Sequence, residues 1–281
     1  MRYLLIIPVV IAILIGLTFL SSRGGHESYD TQLFKPGPVL GVNKALNETT
    51  DPDRAMDIIA SRFATLELLS VGEGGYEHAY TADMDGEIVS GTNLVAAIQG
   101  SSKSEHMIVI SAGLEAEGAG ENASGVEAVL AIAERYSRRR VSPKHSLVLV
   151  VNGGQGGWWS FFDDPPMEAE RLAINLDIGS LPRAGDENLL IDGAVPSQAF
   201  YPLLQDGLGE APYPAEISIA RSDQWGRPEL TVFTYPAPTA DKVDQDTLLK
   251  AVDTIMMTLG IVDENLETVL GLPPLPADET P

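Results

Sequence analysis

The residues best equipped for chemistry in this chain are carboxylates set among glycines. Glu115, Glu117 and Glu121 fall in GLEAEGAGENASG, residues 113–125, between the apolar run Met107–Ala112 and a long amphipathic stretch. The carboxyl end of a strand is where an open α/β sheet places its site. With Asp177 in INLDIGS and Asp223 in RSDQ, these groups form a candidate all-oxygen set, suited to calcium or magnesium. The competing reading makes Glu115 and Glu117 solvated loop charges, with Glu121 favouring a helix amino terminus and Asn122 or Ser124 capping it.

Other chemistries have less behind them. The chain has no cysteine, which excludes thiolate ligands and a cysteine nucleophile. Ser160 and Ser222 lack a G-x-S-x-G elbow and a matched histidine, and GGQGG at 153–157 is not followed by G-K-[ST]. Of the four histidines, His26, His78, His106 and His145, the last two precede apolar strands and read as surface positions at strand ends. Trp158, Trp159, Phe161 and Phe162 form WWSFF. They can pack a core, or line a pocket or partner surface together with Asp223.

Composition bounds the role further. With 281 residues, 44% of them hydrophobic, the chain has room for one full-sized folded domain and appendages. A net charge of -22, from 40 acidic against 18 basic residues, argues against nucleic acid, which needs a basic footprint, and against docking on anionic lipid.

The elements that must position these residues follow from periodicity. Tyr3–Leu20 holds 18 residues without a charge; at about 1.5 Å per residue a helix there spans roughly 27 Å, near a bilayer's apolar thickness. It reads as an uncleaved transmembrane anchor over residues 1–22, with a cleaved signal peptide as the alternative. The single flanking arginines, Arg2 and Arg23, slightly favour an extracytoplasmic domain on a single-pass membrane protein. Residues 23–50 read as a stalk, 51–263 as the domain, and 264–281 as a disordered Pro-rich acidic tail.

Within the domain, a first helix is capped by Asp51 or Asp53, with apolar residues at helical spacing from Ala55 to Leu69. Strands are expected near residues 76–81, 92–98, 107–112, 146–151, 172–178, 189–192, 215–220 and 230–234. Helices are expected near 123–140, 197–205 and 247–259, the first ending in a solvated arginine cluster, Arg135 and Arg138–Arg140. Strands alternating with helices specify an α/β layer fold.

GTNLVAAIQG, IVISAGLEAEG, GAGENASGVEAVLAIAE, SLVLVVNGG, INLDIGS, RSDQ and TADKVD occur in that order. Their succession, over roughly Asp51–Gly260, resembles the zinc aminopeptidase and glutamate carboxypeptidase-like family of co-catalytic dizinc exopeptidases. The resemblance implies a three-layer αβα fold with a central, mostly parallel mixed sheet. It also implies slots for two zinc ions and a glutamate general base.

Matched position by position, those slots hold a different chemistry. The first histidine slot falls on Gly113, its partnering aspartate on Glu115, and the bridging aspartate on Glu121. The base and the adjacent glutamate ligand fall on Gly154 and Gln155. The next aspartate is retained as Asp177, and the terminal histidine falls on Thr234. Only Glu121 and Asp177 can still ligate a metal; glycine has no side-chain donor and Gln155 offers only a neutral amide oxygen.

Losing a general base alone forfeits about two to four decades of rate. The expectation is therefore a degenerate member of the family, a membrane-anchored pseudo-peptidase with no zinc cofactor, acting through a protein or peptide partner. The alternative is an active aminopeptidase or hydrolase with a reduced or relocated metal site.

Overall fold

In this computed structural model the described residues are 51–71, 74–84, 86–114, 119–139, 142–154, 156–179, 188–218, 228–233 and 245–272, together with Leu46, Thr49 and Leu181. Helix α1, Pro52–Thr65, starts where Asp51 Oδ1 accepts from the Asp53 amide at 3.1 Å and Pro52 supplies a helix-ready φ. Ala55, Ile59 and Phe63 form its buried stripe. The expected stripe ended at Leu69. That residue is instead 52% exposed in the short strand β1, Leu69–Ser70, because the chain leaves the helix at Leu66 and passes Glu67 at a φ of 54°.

Strands β2, Glu77–Met84, and β3, Glu87–Ile98, form a hairpin turning at Gly86, whose φ is +90°. Both outrun the segments expected, since half-exposed alternation carries them beyond the apolar centre. β4, Met107–Gly113, β5, Ser146–Asn152, and β6, Leu172–Ile178, are short apolar runs buried on both faces, as central parallel strands require. β7, Leu189–Gly193, β8, Ala215–Ser218, and β9, Glu229–Phe233, complete the sheet.

Among the described residues the order is β1-β3-β5-β4-β6-β9-β7-β8, with β2 paired to β3. β5-β4-β6-β9 and β7-β8 are parallel; β1, β2 and β5 pair β3 antiparallel, as β7 pairs β9. This is an α/β fold on a mixed sheet.

Helix α2, Ala119–Arg139, begins four residues before the expected start, so Ser124 lies inside the helix rather than capping it; its Oγ accepts from the Leu181 amide at 3.0 Å. α2 packs on β4, and Val126, Val129, Ile132 and Ala133 are fully buried. Short α3, Gly157–Asp163, covers the sheet beside β2 and β3, where Phe161 and Phe162 join Val95, Val109, Val148 and Val150. A 3-10 turn, Val195–Phe200, leads into α4, Tyr201–Gly207.

Helix α5, Gln245–Leu270, runs well past the expected end at residue 259 and through the first part of the expected tail. Its acidic residues explain the difference. Asp263 accepts from the backbone amides of Lys144 and His145 at 2.7 and 2.8 Å and lies 2.9 Å from His145 Nδ1. Glu267 sits 3.6 Å from His145 Nε2. His145 is fully buried and His106 nearly so, which corrects the expectation that both are surface residues.

Arg135 is also buried, paired with Asp253 of α5 rather than solvated, while Glu134 joins Arg62 at 2.6 Å and Arg138 at 2.8 Å. Among the described residues no helix is long and apolar enough to cross a membrane; Tyr3–Leu20 lies outside them.

Candidate functional site

The register of three parallel strands assembles one polar face at their carboxyl ends. Ser111 of β4 is aligned with Val150 of β5 and Asp177 of β6, and Gly113 with Asn152. Aligned residues and those two apart share a face, so Ser111, Gly113, Asn152, Asn175 and Asp177 lie on one side of the sheet. The row continues in register through Thr231 of β9 to Asp192 of β7.

Ser111 Oγ donates to Asp177 Oδ1 at 2.6 Å and lies 3.1 Å from Asn175 Oδ1. A carboxylate acceptor this close makes the bond charge-assisted, which fixes the Asp177 rotamer. Asn152, 5% exposed at the end of β5, has its side-chain oxygen enclosed with no hydrogen bond among the described residues.

Behind this face, the turn after β5 is held from β3. Asn93 Oδ1 accepts from the Gly153 amide at 3.2 Å, and its Nδ2 donates to the Gly157 carbonyl at 2.8 Å. Tyr80 donates to the Gly153 carbonyl at 3.4 Å; burial pushes its phenol above the ordinary tyrosine range, keeping it a donor. Between these anchors Gly154 adopts a φ of +115°, where a side chain is strained. Asn93, Ser111 and Tyr80 went unnoticed in sequence. An asparagine and a serine inside apolar strands were the available signal.

The amino end of α2 closes on β6 because Gly125 has no side chain. A Cβ there meets the carbonyl oxygens of Ile178 and Gly179 at 2.5 and 2.7 Å. The glycine of NASGV thus seats the helix that follows the acidic loop.

Of the zinc slots, Gly113 and Gly154 flank the sheet end without donors, and Asp177 lies on the same face as Gly113. The side chains at Glu121, Glu115, Gln155, Thr234 and Asp223 lie outside those described. His106 and His145 sit at the opposite ends of β4 and β5; seven residues of strand separate them from Gly113 and Asn152 by roughly 20 Å. Among the described residues no group of three or more histidine, aspartate or glutamate side chains converges as a metal site requires. Among the described residues, two glycines and one carboxylate do not make up the donor set of a zinc pair.

Trp158 is half-buried against the cluster around Val148 and stacks edge-on with Phe162. Trp159 is 41% exposed and opens onto a groove beside β2. The aromatic run therefore divides between core and surface.

Comparison with known proteins agrees with the architecture. Residues 93–194 match the model of Peptidase family M28. Among solved structures the chain is similar to a leucine aminopeptidase precursor from Bacteroides thetaiotaomicron, with 13% identity, 79% of this chain and 94% of that chain covered, and a TM-score of 0.54. It is similar to a glutaminyl cyclase of the same organism at 12% identity, with the same coverages and TM-score. LapB from Legionella pneumophila gives 12% identity, 86% and 74% coverage, and 0.55. No curated protein matches at a significant level. Residues 93–194 are thus similar to Peptidase family M28, and the chain shares the α/β fold of these solved structures.

Proposed function

We propose that the chain is a membrane-anchored protein of metallopeptidase fold that has given up hydrolysis and acts by binding a protein or peptide partner. The observation that carries this reading is the backbone at the base slot. Gly154 sits at a φ of +115° in a turn tied by Asn93 and Tyr80, so the position is built around a residue that cannot move a proton. Gly113, at the end of β4, likewise brings no imidazole to the face that holds Asp177.

Zinc analysis of the purified chain, with assays for aminopeptide hydrolysis and for N-terminal glutamine cyclisation, tests this. The second assay is included because glutaminyl cyclases share the fold. The expected result is neither zinc at stoichiometry nor turnover. Protease protection of membrane vesicles tests the anchor and the extracytoplasmic domain, and N-terminal sequencing distinguishes an anchor from a cleaved signal.

A second reading, an active hydrolase with a reduced or relocated metal site, is favoured by the retained Asp177 and its bond to Ser111. Stoichiometric zinc with turnover abolished by Asp177→Ala establishes it and removes the first.

A further inference from the structure

Along the hairpin the outer edge of β2 is open. The Val95 amide donates to the Tyr76 carbonyl at 2.7 Å, so these facing residues form a hydrogen-bonded pair. Bonded and non-bonded pairs alternate in an antiparallel ladder. His78 with Asn93, Tyr80 with Gly91 and Ala82 with Val89 are then bonded too. Ala79, Thr81 and Asp83 therefore turn their N–H and C=O groups away from β3. Thr81 Oγ1 and Ser90 Oγ, 3.1 Å apart, face each other across a non-bonded pair, where side chains approach most closely. Among the described residues no strand pairs with this edge.

An open groove of about 610 Å³ runs along that edge, lined by every residue from His78 to Met84. Contributions from both side-chain parities mean the backbone itself borders the space. The opposite wall is Trp159, Ser160, Asp163 and Asp164 of α3 and its C-cap. Asp163 and Asp164 are exposed and make no ion pair among the described residues. His78 Nε2 lies 3.0 Å from the Asp164 carbonyl, holding the wall to the strand.

We propose that this groove takes an extended basic peptide segment, which adds a strand to the open edge of β2 and lays alternate lysine or arginine side chains against Asp163, Asp164 and Trp159. Main-chain bonds to Ala79, Thr81 and Asp83 supply sequence-independent affinity, as strand addition does elsewhere. Strand periodicity directs every second side chain toward α3, where two carboxylates and an exposed indole select cations. A second copy is a poor occupant, because pairing β2 with itself brings these carboxylates together on chains of net charge -22. The same sign repels nucleic acid and anionic lipid. The groove lies outside the Gly113–Asp177 face, so this proposal stands whether or not that face turns over a substrate.

The test titrates the full chain, in nonionic detergent, with a short capped peptide of alternating lysine and valine, by calorimetry and tryptophan fluorescence. Two variants are compared: Thr81→Pro, which removes an outward N–H and the hydroxyl contact with Ser90 while leaving the main-chain bonds to β3, and Asp163→Lys/Asp164→Lys. Saturable binding that each variant weakens about tenfold or more is expected, consistent with lost main-chain or charge-assisted contacts. A peptide N-methylated at alternate residues reads the same backbone contact on the unaltered protein, should Thr81→Pro fail to fold. No binding, or equal binding of the N-methylated peptide, overturns the proposal. So does a dimer in sedimentation that Thr81→Pro dissolves, since the occupant is then a second copy.

Discussion

The Ser111 hydroxyl donates to Asp177 Oδ1 at 2.6 Å, tying β4 to β6 at the one zinc-slot carboxylate whose surroundings are described. Ser111 is 1% exposed, so removing its hydroxyl leaves an acceptor with less than its complement in a nearly water-free place. Ser111→Ala is expected to lower unfolding stability by about 1–3 kcal/mol. Urea denaturation of the two chains checks it; a loss within measurement error refutes the role given to this bond.

Restoring a histidine at Gly113 is expected to be tolerated. A Cβ there meets nothing within 4 Å among the described residues, and the φ is not left-handed. Gly113→His should shift stability by no more than about 0.5 kcal/mol, as for an open surface position. Thermal melts measure it, and a cost of several kcal/mol contradicts the open geometry.

Gly125 is the opposite case. Its substitution to alanine gains helix propensity worth about 1 kcal/mol but drives a methyl into two backbone carbonyls that cannot rotate away. Gly125→Ala is expected to be net destabilising by about 1–3 kcal/mol. Hydrogen exchange should show added opening at the start of α2 and the end of β6 before elsewhere. A stabilised variant rejects the close approach.

Glu267 carries the pH dependence. The Ser104 hydroxyl bonded to it, then the charges of His145 and Lys144, hold its carboxyl below the ordinary glutamate range against the opposing effect of partial burial. A depressed folded value stabilises above the unfolded pKa of about 4.3 and fades as pH falls through the folded value. Wild type should therefore exceed Glu267→Gln in melting temperature near neutral pH, and the gap should close in acid below the glutamate range. A gap constant from pH 7 to 3 excludes the linkage.

Much of the frame was legible in the chain because it is local. β4 and β6 are apolar runs with polar ends, and their bounds follow from that alone. The amino end of α2 was not legible, since AGEN reads as loop until Gly125 is seen against the β6 carbonyls. The carboxyl half of α5 was hidden for the same kind of reason. Asp263 and Glu267 look like tail charges, yet they bind a histidine more than a hundred residues earlier in the chain. At the candidate site, Gly113, Gly154 and Asp177 were proposed from the family resemblance, while Ser111 and Asn93 depend on strand register, which no single segment encodes.

The conformation of Gly154 bears on history as well as chemistry. On the proposal that hydrolysis was lost, the two glycine slots differ in how they can be undone. At position 113 a Cβ meets nothing within 4 Å among the described residues, so a histidine there meets no resistance from them. Position 154 does not accept a glutamate while its φ is +115°, because a side chain there costs about 1–3 kcal/mol in addition to failing to act alone. Any intermediate lineage carries that burden before it gains turnover, so selection has no gradual route back. The turn works as a ratchet: drift can pass through it in one direction, leaving the domain committed to whatever its surfaces can do without a hydrolytic centre.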